Sequence, residues 1–377
     1  MRLFTEQNAM YRQVCSIPAL LEELVERWKE EVRFALSVEQ TYQVKHLYLV
    51  GSGDSYIAAK AARQAFARLA HVDAQAVRSL EAARYLPDGW LPQPGCHNLL
   101  IAISNSGETA RVVEAARAWK ETGALVLAIT ARPDSTLGKL SDGVICTAIE
   151  PYPAAPEVRS CIATLLALLM LAIRMGENKG VMTMDEAGAL RRELRGLAGR
   201  IRSVLTGQAE TLKEAARLCA EYGQVELIGS GPALGSAEFG VAKIYEAVGT
   251  GALAQESEEF FHLNFFRREP AKLPAILLTT ADALAAGRQE ELIWLLGHLG
   301  RPYFVFTDRD DGGAHTVACG EPVRELFAPL YHFALLAHMV SYMNLFLDED
   351  YYRGHAGVWD ESKFPKNSRF VAQEDGQ

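Results

Sequence analysis

Ser104, Ser106 and Thr109 place three hydroxyl groups within six residues, directly after a short apolar run. That run, Leu99 to Ile103, predicts a buried strand, and a helical pattern begins at about Thr109. The start of a helix presents unpaired N–H groups and a partial positive charge, so hydroxyl donors beside it favour an anion, most often a phosphate. A capped turn is the simpler interpretation, since Ser and Thr are common N-caps. The density of hydroxyl groups, with Gly107 among them, favours the anion site.

A second turn of related composition lies one strand–helix unit earlier. The run His46 to Val50 predicts a strand, and Gly51-Ser-Gly-Asp-Ser55 follows before a helix from about Tyr56. Glycine allows positive φ and a close approach of the backbone to a ligand. Loops that follow parallel strands emerge at the carboxyl edge of the sheet, so both turns are expected at this ligand-binding edge.

Composition excludes several other classes. The chain has 377 residues, of which 49% are hydrophobic, and this suits two domains with cores. A net charge of -9 without a basic stripe argues against nucleic acid as a partner. Scattered cysteines indicate reduced thiols of a cytosolic protein, and the N-terminus carries no apolar signal core. The most apolar run, Ser160 to Ile173, is too short to span a bilayer and predicts a buried helix, so no membrane partner is expected.

An internal repeat organises the chain. The sequence of Val225–Gly231 is similar to that of Leu47–Gly53, and the sequence of Pro302–Thr307 is similar to that of Leu125–Thr130. The two segments of each pair are separated by a nearly constant number of residues. Strands that alternate with helices predict the α/β class, here two tandem domains that are each a doubly wound parallel sheet flanked by helices. The predicted divisions are N-terminal helices at 1–45, a first domain at 46–175, a linker at 176–187, a second domain at 188–350 and a C-terminal tail at 351–377.

The second copy has lost the hydroxyl loop. Thr279-Thr-Ala-Asp282 stands in its place, and a carboxylate in that turn would repel phosphate. Only the first copy is therefore expected to bind a phosphate, and the second copy is expected to supply the reacting groups. A helix predicted over 235–248 carries Lys243 and Glu246, and an aromatic loop predicted over 255–264 carries several acids and His262. Taken singly, each acid and the histidine is more simply interpreted as structural.

Three motifs resemble the sugar isomerase (SIS) family: Gly51–Tyr56, Ile103–Thr109 and Glu259–His262. Tandem copies of this kind are similar to the isomerase half of glucosamine-6-phosphate synthase, to fructosamine-6-phosphate deglycases and to amino-sugar-phosphate isomerase/deaminases. The resemblance covers about residues 20–350 and implies two flavodoxin-like or Rossmann-like three-layer sandwiches. No glutaminase domain precedes the two copies, so glutamine-driven amination is not expected.

The resemblance also implies a set of site residues. The substrate phosphate would be bound by Ser55, Ser104, Asn105, Ser106 and Thr109. Glu246 would be the enolisation base, Lys243 would lie near the sugar, and His262 would open the sugar ring from a neighbouring subunit. Further substrate contacts are expected from Gly53, Asp54, Arg159, Ser160 and Glu259, and residues 157–164 resemble a loop that closes over the substrate. Lys363 is a candidate for the family's active-site lysine, although a free, solvated tail is the simpler interpretation.

This sequence departs from the family pattern at two places. The family usually continues the histidine with Gly-Pro, whereas Leu263 and Asn264 follow His262 here. Asp54 stands where a neutral Thr or Ser is more usual. Because a carboxylate beside a phosphate is costly, Asp54 is expected to face a substrate hydroxyl or amine, or a basic residue of the protein.

These motifs predict a cytoplasmic enzyme, independent of metals and cofactors, that opens a hexose 6-phosphate ring and transfers a proton between C1 and C2. The acids at 256–259 would suit a cationic amine, which favours an amino-sugar or glycated-amine phosphate. Isomerase, deaminase and deglycase activities stay open. Two other classes of protein stay open. One is a non-catalytic sugar-phosphate sensor, and the other is an interaction protein whose phosphate-binding loop has lost its function. An active site shared between subunits predicts at least a homodimer.

Overall fold

The computed structural model describes residues 8–86 and 97–363, which form two compact α/β units. The first-sheet unit contains residues 22–86, 97–151, 160–195 and 360–363, and the second-sheet unit contains residues 8–21, 152–159 and 196–359. The helices are α1 (Ala9–Cys15), α2 (Ile17–Glu31), α3 (Val38–Gln43), α4 (Asp54–Ala70), α5 (Ser79–Arg84), α6 (Ala110–Glu121), α7 (Thr136–Leu140), α8 (Arg159–Asn178), α9 (Met184–Gly207), α10 (Ala209–Tyr222), α11 (Pro232–Ala247), α12 (Ser257–His262), α13 (Ala286–His298) and α14 (Ala328–Leu347). The strands are β1 (His46–Gly51), β2 (Asp73–Arg78), β3 (Asn98–Ile103), β4 (Leu125–Thr130), β5 (Gly143–Cys146), β6 (Gln224–Gly229), β7 (Gly251–Gln255), β8 (Ala275–Leu278), β9 (Tyr303–Thr307) and β10 (Thr316–Ala318).

The first sheet has the strand order β2-β1-β3-β4-β5, and all its strands are parallel. All six residues of β3 are buried, as a central strand covered by helices on both faces requires. On one face Trp119 packs edge-on against Tyr48, and its indole N–H donates to the carbonyl of Ala82. Strand order reverses between β1 and β3, so the crevice for a ligand lies after these two strands.

The second sheet repeats the first. Its order is β10-β9-β8-β6-β7, which is the same topology counted from the other edge. The glycine turns match in detail, because Gly53 has φ 54 and ψ -130 while Gly231 has φ 55 and ψ -128. The predicted fold, two tandem doubly wound parallel sheets, is therefore confirmed.

Two long apolar helices, α8 and α14, lie in the cores. Each is long and apolar enough to cross a membrane by length and composition, yet 83% of the apolar window of each is buried within the protein. The expectation that the run at 160–173 is too short to span a bilayer was wrong in length, because α8 has 20 residues. The expectation of a buried helix is confirmed.

The helix α14 carries two buried histidines whose titration should make stability depend on pH. Burial lowers the pKa of His332 to about 4 and that of His338 to about 3, from 6.5. Both stay neutral in the folded state, whereas the unfolded chain binds these protons below its own pKa. Stability should therefore be level above about pH 6.5 and fall by up to about 1.4 kcal/mol per pH unit per histidine as pH decreases towards the folded values.

Urea unfolding at about pH 7.5, 6 and 5 measures this slope. The variant His338→Gln should flatten it, since a glutamine amide can donate to or accept from the Tyr342 hydroxyl, which lies 2.8 Å from Nε2 of His338. The exposed His298→Gln is the control and should leave the slope unchanged. An equal slope in His338→Gln and wild type would contradict the assignment.

Four local predictions were wrong. The linker at 176–187 is much shorter, because α8 continues to Asn178 and α9 begins at Met184, where Thr183 and Glu186 exchange N-terminal capping bonds. The single helix expected at 188–220 is two helices, since Gln208 has non-helical φ and ψ. The exposed edge strand β7 was not predicted at all, and the loop expected at 255–264 contains α12.

Candidate active site

Three hydroxyl groups converge in the loop between β3 and α6. The Ser104 hydroxyl lies 2.9 Å from that of Thr109 and 3.5 Å from that of Ser106. Ser104 is buried, and its Oγ also accepts from the N–H of Gly107 at 3.1 Å. Thr109 is the N-cap residue of α6, but its side chain makes no capping bond. These hydroxyls therefore face one another at the start of a helix, as an anion site requires, rather than capping it.

The same loop is fixed to the end of the next strand. The carbonyl of Asn105 accepts from the N–H of Ala131 at 3.0 Å. The Glu108 carboxylate accepts from the N–H of Thr136 at 2.8 Å, and this bond lowers the pKa of Glu108. Glu108 thus caps the helix α7, so its charge is already engaged. Sequence reasoning assigned no role to Glu108, because its partner, the N–H of Thr136, lies 28 residues later in the chain.

Gly107 allows this loop to close, and Gly107→Ala should open it. A Cβ there would lie 1.9 Å from Oγ of Ser135, and the φ of +67 disfavours any L side chain. Gly180 is a matched control, because its φ is +69 and a Cβ there meets no atom within 4 Å. Overpacking by one methyl group costs about 1–3 kcal/mol, so phosphate affinity measured by calorimetry should fall by roughly tenfold or more in Gly107→Ala. Equal affinities in the two alanine variants would contradict this role.

The glycine turn after β1 lies beside the hydroxyl loop. Strands β1 and β3 are paired with Val50 opposite Ala102, so the two turns follow neighbouring strands at one edge of the sheet. In the turn, the Ser52 hydroxyl lies 2.6 Å from that of Ser79, the first residue of α5, directly after β2. Ser55 is half-buried in the first turn of α4, and its role as a phosphate ligand stays a prediction. The structure thus brings the 51–55 turn next to the 104–109 loop within the first-sheet unit.

Asp54 is the first residue of α4. A carboxylate at this position is stabilised by the partial positive charge of the helix N-terminus. This gives the departure from the family pattern a physical reason that needs no substrate. The prediction that Asp54 faces a substrate group or a basic residue stays a prediction.

Residues 157–164, which resemble a closing loop, straddle the start of α8. Arg159 is buried in the second-sheet unit, where its guanidinium donates to the Ser16 hydroxyl at 2.5 Å and lies over the ring of Tyr152 at 4.2 Å. Ser160 begins the part of α8 that belongs to the first-sheet unit. The contacts of Arg159 explain why it is ordered, and its contact with substrate stays a prediction.

A lysine–glutamate pair lies in the last turns of α11. The Lys243 side chain is fully buried, and its Nζ lies 2.7 Å from Oε2 of Glu246, which keeps 29% of its own side chain exposed. The spacing of three residues puts both groups on one helix face. A carboxylate that is half-exposed and bonded to a buried ammonium can exchange a proton with a ligand while the lysine holds it in place.

The acids around 256–259 cap and pair within the protein. Glu256 accepts from the N–H groups of Glu258 and Glu259 at the start of α12, and also from the Ser230 hydroxyl at 2.5 Å. Glu258 accepts from Arg288 at 2.6 Å, and this ion pair lowers the pKa of Glu258. Glu256 and Glu258 are therefore engaged by protein groups, and the expectation that the acids at 256–259 suit a cationic amine stays a prediction. Glu259 is exposed.

His262 ends α12 with 66% of its side chain exposed, and Nε2 lies 3.2 Å from the Glu258 carboxylate. The segment after it is anchored by Asn264, whose amide donates to Glu226. Glu226 is fully buried in β6 and also pairs with Arg301 at 2.7 Å. Burial lowers the pKa of Arg301, and the charge of Glu226 opposes that shift. The chain thus holds the residues after His262 by a side-chain bond where the family has Gly-Pro, which sequence reasoning missed.

In the second copy, carboxylates lie in the turn that corresponds to the hydroxyl loop. The Asp308 carboxylate accepts from the N–H of Ala281 at 2.8 Å and from that of Val323 at 2.8 Å. The Asp282 carboxylate accepts from the hydroxyl of Thr280 at 3.0 Å. The backbone N–H of Ala281, in the turn that corresponds to the hydroxyl loop, is therefore satisfied by the carboxylate of Asp308, which follows β9.

The segment after α14 is more ordered than expected. Residues Tyr351–His355, Gly357–Trp359 and Glu361–Lys363 are short 3₁₀ turns, and the Tyr351 hydroxyl accepts from the N–H of Met10 at 3.2 Å. The start of this tail is thus bonded to α1, whereas the role of Lys363 and the expectation of a free, solvated tail around it stay predictions. The side chain of Lys363 and residues 364–377 lie outside the described part of the chain. Within residues 8–86 and 97–363, no group of three His, Cys, Asp or Glu side chains could hold a metal ion.

Known proteins resemble this chain in sequence and in fold. The SIS domain family matches residues 40–174. An isomerizing glutamine–fructose-6-phosphate aminotransferase of Pseudomonas syringae pv. tomato is 29% identical over 315 residues, which are 80% of this chain and 48% of that protein. This chain covers from about a fifth to about half of the length of such aminotransferases.

Two solved structures share the fold. The C-terminal domain of glucosamine-fructose-6-phosphate aminotransferase from Francisella tularensis has a TM-score of 0.82 at 17% identity, covering 92% of this chain and 98% of that one. A glucosamine-6-phosphate deaminase from Thermotoga maritima has a TM-score of 0.68 at 16% identity, covering 91% of this chain and 96% of that one. At these identities the likeness concerns the fold.

Proposed function

Because this chain carries an SIS domain at residues 40–174 and is homologous to the isomerizing glutamine–fructose-6-phosphate aminotransferases, we propose that it is an enzyme of the phosphosugar isomerase type that acts on a hexose 6-phosphate. The observation that carries the proposal is the Lys243–Glu246 pair. A sensor of sugar phosphates needs an anion site but has no use for a carboxylate held by a buried ammonium.

In this proposal the hydroxyls of Ser55, Ser104, Ser106 and Thr109, with Asn105, bind the phosphate. That group is remote from the reacting carbons, and its binding energy positions them. His262 assists ring opening. Glu246 removes the proton from C2 of the aldose, or C1 of the ketose, and delivers a proton to the other carbon after exchange of the carboxyl proton with solvent, to which 29% of the Glu246 side chain is exposed. The Lys243 ammonium stabilises the enediolate oxygen that becomes negative during this transfer.

The proposal covers three reactions, of which two, deamination and deglycation, need an amine on the sugar. Loss of ammonia from an amino-sugar phosphate and loss of an amine from a glycated one both begin with the same proton transfer. With Glu256 and Glu258 engaged by protein groups, Glu259 is the acid of this cluster that the proposal assigns to an amine. Aldose–ketose isomerisation needs none of these acids.

A homodimer and a cytoplasmic location are also part of the proposal. The exposed side chain of His262 supports a dimer, since a ring-opening group that points into solvent in one protomer can serve the site of a neighbour. Among the described residues, Cys146, Cys219 and Cys319 are free thiols, which supports a reducing compartment.

The test is incubation of the protein in D₂O with glucose, fructose, glucosamine, galactosamine, fructosamine and glycated amino acid 6-phosphates. The expected result is deuterium at C1 or C2 of at least one sugar, with the product identified by NMR. Absence of deuterium from every sugar would count against an enzyme. Thermal stabilisation by the same sugars without deuterium incorporation would instead indicate the sensor.

A further inference from the structure

The C-terminal end of α11, which carries Glu246, is bonded by residues that follow in the chain. The last carbonyls of a helix have no partner within the helix. Here the Arg353 guanidinium donates to the carbonyl of Tyr245 at 2.9 Å and to that of Glu246 at 2.6 Å. The amide of Asn344 donates to the next carbonyl, that of Ala247, at 2.9 Å. Three successive carbonyls at this helix end are thus satisfied from outside the helix.

The space for the guanidinium exists because residue 249 is a glycine. Gly249 has a φ of +71, and a Cβ there would lie 2.1 Å from Nη1 of Arg353. The turn after α11 therefore both bends in the left-handed region and leaves room for the arginine. A guanidinium can bond two neighbouring carbonyls at once because its donors are fixed in one plane, which a lysine ammonium cannot reproduce.

The backbone around Arg353 is unusual. Tyr352, Arg353 and His355 have φ values of 52, 55 and 51, in the left-handed region that non-glycine residues rarely adopt. Such conformations persist only where the surroundings fix them. The bonds of Arg353 to α11, and the N–H of Arg353 to the carbonyl of Asp350 at 3.0 Å, are such constraints. The segment is therefore bonded to α11 at a cost in backbone strain.

We propose that Arg353 is a positioning residue for Glu246, an inference that rests on the proposed function of that carboxylate. Lys243 fixes the carboxylate at the tip of the side chain, and Arg353 fixes the backbone from which the side chain extends. Its positive charge also suits the partial negative charge of a helix C-terminus. A shift of about 1 Å in a reacting group can lower a rate by roughly a hundredfold, so loss of this anchor acts on the chemical step.

The first measurement compares Arg353→Met and Arg353→Lys with wild type on the sugar phosphate that is turned over. Arg353→Met should lower kcat by roughly tenfold to a hundredfold with KM changed less than about twofold, because no phosphate ligand is touched. Arg353→Lys should recover part of kcat, since an ammonium can still donate to one carbonyl. An unchanged kcat in Arg353→Met, or a loss confined to KM, would overturn the proposal.

A comparison of two glycine variants separates the effect of the Arg353 guanidinium from that of backbone strain. Gly249→Ala displaces Arg353, whereas Gly223→Ala introduces the same left-handed strain, with a φ of +65, where a Cβ meets no atom within 4 Å. Gly249→Ala should reproduce the kcat loss of Arg353→Met, and Gly223→Ala should retain wild-type kcat. Equal kcat values in the two alanine variants would overturn the assignment.

Amide hydrogen exchange separates this proposal from the proposed function. The N–H groups of Val248 and Gly249 both donate to the carbonyl of Ile244 at 2.9 Å. In Arg353→Met they should exchange at least roughly tenfold faster than in wild type, while amides of α4 keep their rates. If the wild-type protein turns over no sugar phosphate, the proposed function fails. Amide exchange alone then tests whether Arg353 anchors the end of α11. Unchanged exchange would overturn it.

Discussion

Replacing Glu246 with glutamine should lower kcat by a factor on the order of 10² to 10⁴, the usual contribution of a positioned general base. The amide has the shape of the carboxylate but cannot accept a proton from carbon. Phosphate affinity should change little, because Glu246 is the proposed base and not one of the proposed phosphate ligands. The measurements are deuterium incorporation from D₂O and a calorimetric titration with the same sugar phosphate.

The control for this variant is Glu210→Gln. Glu210 also pairs with a lysine three residues away, Lys213, at 2.8 Å, but on the exposed surface of α10. Glu210→Gln should keep wild-type kcat, which shows that loss of a Glu–Lys pair is not itself harmful. Wild-type deuterium incorporation in Glu246→Gln would remove Glu246 as the base.

Mixing two inactive variants tests the subunit arrangement that accompanies this role. If His262 serves a neighbouring protomer, dimers formed from Glu246→Gln and His262→Ala chains contain one site with both native residues. Unfolding and refolding the mixture should then restore up to about a quarter of wild-type kcat, since half of the dimers are mixed and each has one intact site of two. No recovery would place His262 in the site of its own chain or outside it.

Local sequence patterns predicted the strand-to-helix turns of this protein better than the edge strands of its sheets. Gly53 and Gly231 adopt the same left-handed conformation because the strand-to-helix turn demands it, so the repeat of Gly-Ser-Gly in the sequence is a direct record of the repeat in the fold. The strand β7 left no such record. It is an alanine-containing edge strand with no fully buried residue. Its sequence therefore shows neither the alternation of apolar and polar residues nor the apolar run that predicts a strand.

Some features of the candidate site could likewise be predicted from local sequence, and others could not. The hydroxyl loop was predictable because its three hydroxyls lie within six residues of one another. The capping role of Glu256 and the pairing of Glu258 with Arg288 were not, since composition cannot distinguish a carboxylate that caps a helix from one that awaits a ligand. Arg353 contacts a helix more than a hundred residues earlier, and no local pattern reports such a contact.

The buried pair of Glu226 and Arg301 is the other feature that only tertiary structure reveals, and its disruption should have the largest effect on stability. Both side chains are almost fully buried, at 0% and 1% exposure. Glu226→Ala leaves the guanidinium of Arg301 and the amide of Asn264 without this carboxylate. Breaking a buried ion pair costs about 3–5 kcal/mol, mainly because a charge stays buried without compensation. Urea unfolding followed by circular dichroism should show a loss of that size.

Two comparisons make this expectation specific. Glu291→Ala removes the carboxylate from an exposed pair with Arg288 and should cost less than about 1 kcal/mol. The double variant Glu226→Leu/Arg301→Met removes both charges and should recover most of the loss, because two apolar side chains need no compensation. The remaining deficit then measures what Asn264 and the carbonyl of Leu273 lose, since that carbonyl accepts from Nε of Arg301 at 2.9 Å. Since Asn264 anchors the segment after His262, the double variant should keep its fold but have a lower kcat. Equal losses of unfolding free energy in Glu226→Ala and Glu291→Ala would contradict the assigned burial.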